Sequence, residues 1–224
     1  YVCLVIGHNK ADCSIKSPCY KCQKAKHHPQ LCHQGENREA KAEVHALTTG
    51  GDETHYKVSK VKVLHDDYKL GNKKSKEINV LWDTGAGCNI IKEDVSSELG
   101  YVGDFLTMTF STLTGEKRVK SEQIQIHIED ADGKVHDIVC YASMQGGEGL
   151  LPAKAVRIRR KSITRFAKEL KILPSSISNI SGPIDMIIGI SHDNIAPTLI
   201  KPLKNENACL YRTNFGPKRH LIAG

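Results

Sequence analysis

The sequence predicts a mainly β domain with short helices, preceded by a small metal-binding segment. Three observations carry this reading. Five of the eight cysteines fall within the first 32 residues, which sets that stretch apart from the rest. Further on, Ile124, Ile126 and Ile128 alternate with polar residues and are followed by an Asp132-Gly133 hairpin signal, the pattern of strands with one buried face. Helical spacing occurs in two places, at Ile91, Val95 and Leu99 before Gly100 and at Ile163, Phe166, Ala167 and Leu170 after Ser162.

A chain of 224 residues has room for one ordinary domain and an appendage. With 39% hydrophobic and 25% charged residues it is neither a disordered chain nor a fibrous repeat. No apolar run approaches the roughly 18 residues of a membrane span, and Cys3 to Gly7 is too short for a signal-peptide core, so no membrane partner is expected. The first residue is Tyr1, and a longer precursor is expected. The net charge of +7 favours polyanionic partners weakly. Its distribution is more informative: residues 154 to 171 carry eight Lys or Arg against the single acid Glu169, and residues 1 to 42 carry seven against three acids. Each basic zone reads as a solvated face or as a polyanion site.

Taken in order, the first element is a metal site. Cys19, Cys22, His27 and Cys32 form a Cys, two residues, Cys, four residues, His, four residues, Cys pattern. Three thiolates and an imidazole complete a tetrahedral shell for structural Zn2+, and the short gap lets one turn aim two sulfurs at one ion. A segment this small has no core, so the metal supplies its folding energy. The spacing favours His27 over His28 as ligand, and His33 reads as a surface residue. Cys3, His8 and Cys13 repeat the spacing without a first cysteine, an incomplete and weaker site.

Residues 35–56 read as a polar linker with Gly35, Gly50 and Gly51, in which a short helix from Arg38 to Ala46 is an option. Ile78 to Trp82 is a buried-strand run that ends at Asp83-Thr84-Gly85-Ala86, a carboxylate on a tight turn. Strands are expected at Thr107 to Thr112, through Ile124 to Ile128 and at Val135 to Ala142. Leu113-Thr114-Gly115-Glu116 is the best hairpin tip between the first two, and Ile187-Ile188-Gly189 closes the pattern. Trp82, Cys140 and Cys209 read as core, and Cys88 as a buried thiol with no histidine tied to it. Ser191, His192 and Asp193 are consecutive, so their side chains diverge and no serine triad is read there.

The repeated Cys/His pattern resembles the zinc knuckles of retroviral and retrotransposon Gag nucleocapsid regions. That resemblance implies binding of single-stranded RNA or DNA, with Lys21, Lys24 and Lys26 on phosphates and Tyr20 stacking on a base. The stretch Val80 to Ile91, with Asp83-Thr84-Gly85 at its centre, resembles the active-site loop of aspartic proteases of the retroviral type, and Ile187-Ile188-Gly189 resembles the strand beneath that loop. The implied fold is a retropepsin-like acid-protease β-barrel over residues 57–224, with Thr114 and Gly115 as candidate flap, behind the knuckles of residues 1–34. Two departures stand out. Ile190, Ser191, His192 and Asp193 follow Gly189 where the retroviral family usually carries Arg soon after, and a Gly-rich flap is absent. The order of knuckles and then protease matches a Gag-Pol polyprotein, and the closing LYRTNFGPKRHLIAG is similar to BEL/Pao-type LTR retrotransposons.

The implied chemistry is peptide hydrolysis by two carboxylates sharing one proton, with no cofactor in that step. One chain offers a single Asp-Thr-Gly; Asp66, Asp67, Asp185 and Asp193 read as solvated or capping acids. A homodimer contributing Asp83 twice, acting on a polyprotein substrate, is therefore expected. The resemblance places it in the cytoplasm or in virus-like particles. A second reading keeps the knuckle but makes the protease-like domain an inactive dimerisation scaffold for nucleic-acid-binding assembly.

Overall fold

The computed structural model describes the backbone of residues 39–43 and residues 56–112, 115–143, 151, 155, 158–203 and 208–223. The molecule is mainly β, in keeping with the alternating pattern. Strand β1 spans Glu39–Glu43, β2 Val58–Leu64 and β3 Ser75–Trp82. A short β4 (Ile90–Lys92) runs into helix α1 (Glu93–Glu98), and β5 (Asp104–Thr112), β6 (Gly115–Glu129) and β7 (Val135–Ser143) follow. Helix α2 spans Arg160–Leu170, β8 Met186–Ile188, β9 Thr198–Pro202, β10 Cys209–Arg212 and β11 His220–Ala223.

The strand pairings close on themselves. In the main sheet the order is β1-β5-β6-β2-β3-β8-β4-β7, and β7 also pairs with β6, so the six strands from β6 round to β7 form a ring. Closure removes free edges from those strands. The ring explains why β3 carries apolar side chains in succession at Val80, Leu81 and Trp82. Ile78, Val80 and Trp82 enter the inner cluster with Ile126, Ile138 and Ile188, while Leu81 joins an outer cluster with Ile90 and Ile187. A strand covered on both faces needs apolar side chains at successive positions.

The polar ends of two buried aromatic side chains fix the ring from within. Trp82 donates its indole N–H to Ser59 Oγ at 2.7 Å and packs against Phe215. Tyr101 donates to the carbonyl of Leu64 at 2.7 Å and accepts the backbone N–H of His127 at 3.0 Å. The chain turns between β6 and β7 over residues 130–134, where Gly133 takes a left-handed φ of 80°. Asp130 closes that turn by accepting the N–H groups of Asp132 and Lys134.

Beyond the ring, β6 continues as one arm of a hairpin. Its first half pairs antiparallel with β5 from Asp104↔Gln123 to Thr112↔Gly115. Leu106, Met108, Phe110 and Val119 of this hairpin share the outer cluster with Leu81 and Ile187. The far edge of β5 pairs in parallel with β1, Glu39 opposite Thr107 and Glu43 opposite Ser111. These five residues, read from sequence as linker or short helix, are thus a strand. Ala, Glu and Lys favour helix intrinsically, but five residues are too few to nucleate one, and an open sheet edge offers hydrogen bonds at once.

The helices also differ from expectation in their bounds. Ile91, read as helical, lies in β4, where Ile90 and Ile91 pair with β8 and Ile90–Lys92 with β7; only Val95 and Leu99 of that spacing serve α1 and its end. Helix α2 begins at Arg160, ahead of Ser162, and stops at Lys171 in a left-handed conformation. Its apolar face packs with Ile177, Leu203, Leu210 and Ile222 above the small sheet β11-β10-β9. Cys140 is buried, whereas Cys209, expected in the core, is half-buried.

Candidate active site

Asp83 stands where β3 ends. Its backbone N–H donates to the carbonyl of Ile188 at 3.0 Å, extending the parallel β3–β8 ladder by one bond. The chain then turns sharply, Ala86 N–H donating to the Asp83 carbonyl at 3.1 Å. Within the turn Asp83 Oδ1 accepts the N–H of Gly85 at 2.9 Å, an Asx arrangement typical of short polar side chains in turns. Among the described residues nothing else hydrogen-bonds the carboxylate of the half-buried Asp83. Thr84 and Gly85 are exposed beside it.

The loop rests on the segment that follows β8, where Gly189 leads into a 3₁₀ turn. Ile190 N–H donates to the Ala86 carbonyl at 3.0 Å. A Cβ built on Gly189 would lie 2.3 Å from the Ala86 oxygen and 2.8 Å from the Cys88 oxygen. The requirement for glycine is steric, since its φ of −88° is open to any residue. Ile187, Ile188 and Gly189 therefore run directly beneath the loop.

Asn89 secures the back of the loop, a role the sequence did not reveal. It is buried; its Oδ1 accepts Gly189 N–H at 2.8 Å, and its amide donates to the Val139 carbonyl at 2.8 Å and to His192 Nδ1 at 3.1 Å. A polar side chain inside the apolar run Cys88 to Ile91 was the available signal. Lys92 was likewise missed. It forms a 3.0 Å ion pair with Asp185, whose other oxygen accepts Asn79 N–H at 3.0 Å.

The other acids are not placed as partners of Asp83. Asp185 is level with Asn79, four residues back along β3 and so roughly 13 Å away at about 3.3 Å per residue. Asp66 and Asp67 are exposed in a 3₁₀ turn, and Asp193 is exposed in another. Ser191 Oγ does lie 3.0 Å from His192 Nδ1, although consecutive side chains were expected to diverge. The same nitrogen takes the Asn89 amide, so serine and its would-be orienter share one side of the ring rather than opposite sides. Burial pulls the His192 pKa down and favours the neutral ring that this bond needs. Burial also pushes the Cys88 thiol up to about 12, which leaves it inert as a nucleophile.

Of the hairpin tip, Gly115 pairs with Thr112 with a left-handed φ of 121°, and Thr114 lies outside the described residues. Also outside them are the ligand sets Cys19, Cys22, His27, Cys32 and Cys3, His8, Cys13, together with Tyr20, Lys21, Lys24 and Lys26. Among the described residues no helix is long and apolar enough to cross a membrane. Comparison of the chain with protein families, with curated proteins and with solved structures finds no match in any of the three.

Proposed function

We propose that this chain is the aspartic endopeptidase segment of a retrotransposon Gag-Pol polyprotein, of the BEL/Pao type it resembles, acting as a homodimer behind a zinc knuckle that binds single-stranded nucleic acid. One observation carries the protease reading. Asp83 ends a ring strand on a tight turn, one oxygen held by Gly85 N–H and the other without a hydrogen-bond partner among the described residues, with Gly189 passing beneath. The ring with its projecting β5–β6 hairpin supports a retropepsin-like barrel, the hairpin taking the place of a flap.

Hydrolysis in this reading uses the two Asp83 carboxylates of a dimer with one shared proton. The charged carboxylate takes a proton from water as its oxygen attacks the scissile carbonyl carbon, and the neutral one protonates the carbonyl oxygen. The tetrahedral intermediate then breaks its C–N bond as the amide nitrogen receives a proton from the dyad. Gly85 N–H fixes the rotation of each carboxylate, and Thr84, exposed beside it, is set to hydrogen-bond across the interface.

The dimer reading is supported by β9. All five residues of Thr198–Pro202 are exposed, Leu199 and Ile200 among them, and β10 pairs with one edge only. Ile190, adjoining the Asp83 loop, is 57% exposed. An apolar edge strand that starts eight residues after Ile190 is a surface for a second copy.

The test is cleavage of peptides spanning Gag-Pol junctions by the zinc-loaded chain. Cleavage blocked by statine-like inhibitors and lost in Asp83→Asn supports the reading. A parental protein that dimerises yet cleaves nothing across pH and substrates supports the scaffold instead.

A further inference from the structure

Helix α2 is anchored by one face and displays the other. Ile163, Phe166 and Ala167 are buried, while Arg160, Lys161, Arg165, Lys168 and, at the end of the helix, Lys171 are exposed. The half-buried Glu169 is the only acid from Arg159 to Lys171. Among the described residues Arg160, Lys161, Lys168 and Lys171 make no ion pair, and Arg165 lies over the Phe166 ring at 5.2 Å. Like charges recur at helical-neighbour spacing, Lys161 to Arg165, Arg165 to Lys168 and Lys168 to Lys171, and such pairs repel. Arg160 and Lys161 also stand in the first turn, where the helix dipole disfavours cations, and no acid is there to offset them. The arrangement weakens the free helix and is relieved by a polyanion.

We infer that the solvent face of α2 is a second nucleic-acid site on the protein, one that holds the phosphate backbone without reading sequence. The helix is roughly 16 Å long at about 1.5 Å per residue, enough for its cations to meet several successive phosphates. A lipid surface fits less well. An interfacial helix inserts large apolar side chains into the membrane, and those of α2 are already committed to the cluster around Ile177, Leu210 and Ile222. Between Arg159 and Lys171 no large apolar side chain is exposed, so the face also lacks the apolar centre of a protein–protein contact. The inference is independent of the protease reading and of the knuckle.

The test is fluorescence anisotropy of the full zinc-loaded chain with a labelled mixed-sequence single strand of roughly 20 nucleotides, over a salt series. The triple variant Arg160→Gln, Lys161→Gln, Lys168→Gln removes three contacts. The slope of log K against log salt is expected to flatten by about 2, at about 0.7 per contact, and the affinity to fall about tenfold or more at physiological salt. The same flattening is expected in a Cys22→Ser background, which separates the helix from the knuckle. The melting temperature should hold or rise; if the triple variant melts early, Lys161→Gln alone is expected to flatten the slope by about 0.7. Slopes equal to the parent's overturn the inference. So does a triple variant that loses binding to phosphatidylserine vesicles while keeping its affinity for the oligonucleotide.

Discussion

Asp83 keeps one oxygen on its own loop and, among the described residues, leaves the other without a hydrogen-bond partner; the loop keeps that geometry because nothing larger than hydrogen fits beneath it. Gly189→Ala should lift the loop or displace the strand, at a cost of about 1–3 kcal/mol by analogy with overpacked cores, with loss of cleavage exceeding the loss of fold. Thermal melting and peptide turnover on the same sample check it. Cys88 makes the opposite kind of prediction. With its thiol pushed up to about 12, about one molecule in 10⁴ is thiolate near pH 8, so iodoacetamide should neither label it in the native protein nor slow cleavage. His192 is tuned by burial in a different sense. Its folded pKa is depressed, so the unfolded chain takes up the proton first as pH falls below about 6.5, and stability drops from there until the folded ring also protonates. His192→Asn should therefore show a smaller fall in melting temperature between about pH 7 and about pH 5 than the parent does. The Asp83 turn was legible because Asp-Thr-Gly after an apolar run is a local signal. The Asn89–Gly189 bond joins residues a hundred positions apart, and no local pattern encodes it.

At the level of elements, legibility followed periodicity. Strands β5, β6 and β7 alternate and could be read; β3 announced itself by the run Ile78 to Trp82, apolar except at Asn79. Strand β1 could not be read, since the β5 edge and not its own composition makes it a strand. The start of α2 was misplaced because Arg159 occupies the N-cap position without a side-chain cap, and Ser162 looked like a better one. Strand β9 yields a test of the proposed dimer: if its free edge pairs with that of a second copy, Ile200→Asp puts a carboxylate on each side. It should shift the protein to monomer in sedimentation and abolish cleavage while leaving the monomer's melting unchanged. The proposed zinc knuckle yields another. One zinc per chain is expected by elemental analysis, lost in Cys22→Ser, together with much of the single-strand affinity.

For the whole molecule, in the proposed dimer the ring, the hairpin and the Asp83 loop make one half-site, and the account stands on two halves meeting. Two carboxylates across an axis repel, which holds one proton between them and places maximal cleavage at mildly acidic pH. Asp130 helps the fold survive there. Burial opposes its ionisation, but hydrogen bonds from His136 and from the N–H groups of Lys134 and Asp132 keep its pKa below the ordinary range. Its contribution is present above the ordinary carboxylate pKa and is lost only as pH falls through the lowered folded value, beneath the working range. The central claim is that two Asp83 side chains form one catalytic unit, and subunit mixing tests it most directly. Parental and Asp83→Asn chains are unfolded together, refolded at fixed total concentration, and assayed for junction-peptide cleavage. The account predicts activity following the square of the parental fraction, about a quarter at an equal mixture, because heterodimers carry one carboxylate. Activity proportional to the parental fraction, about half at an equal mixture, would mean that each chain cuts alone and would contradict it.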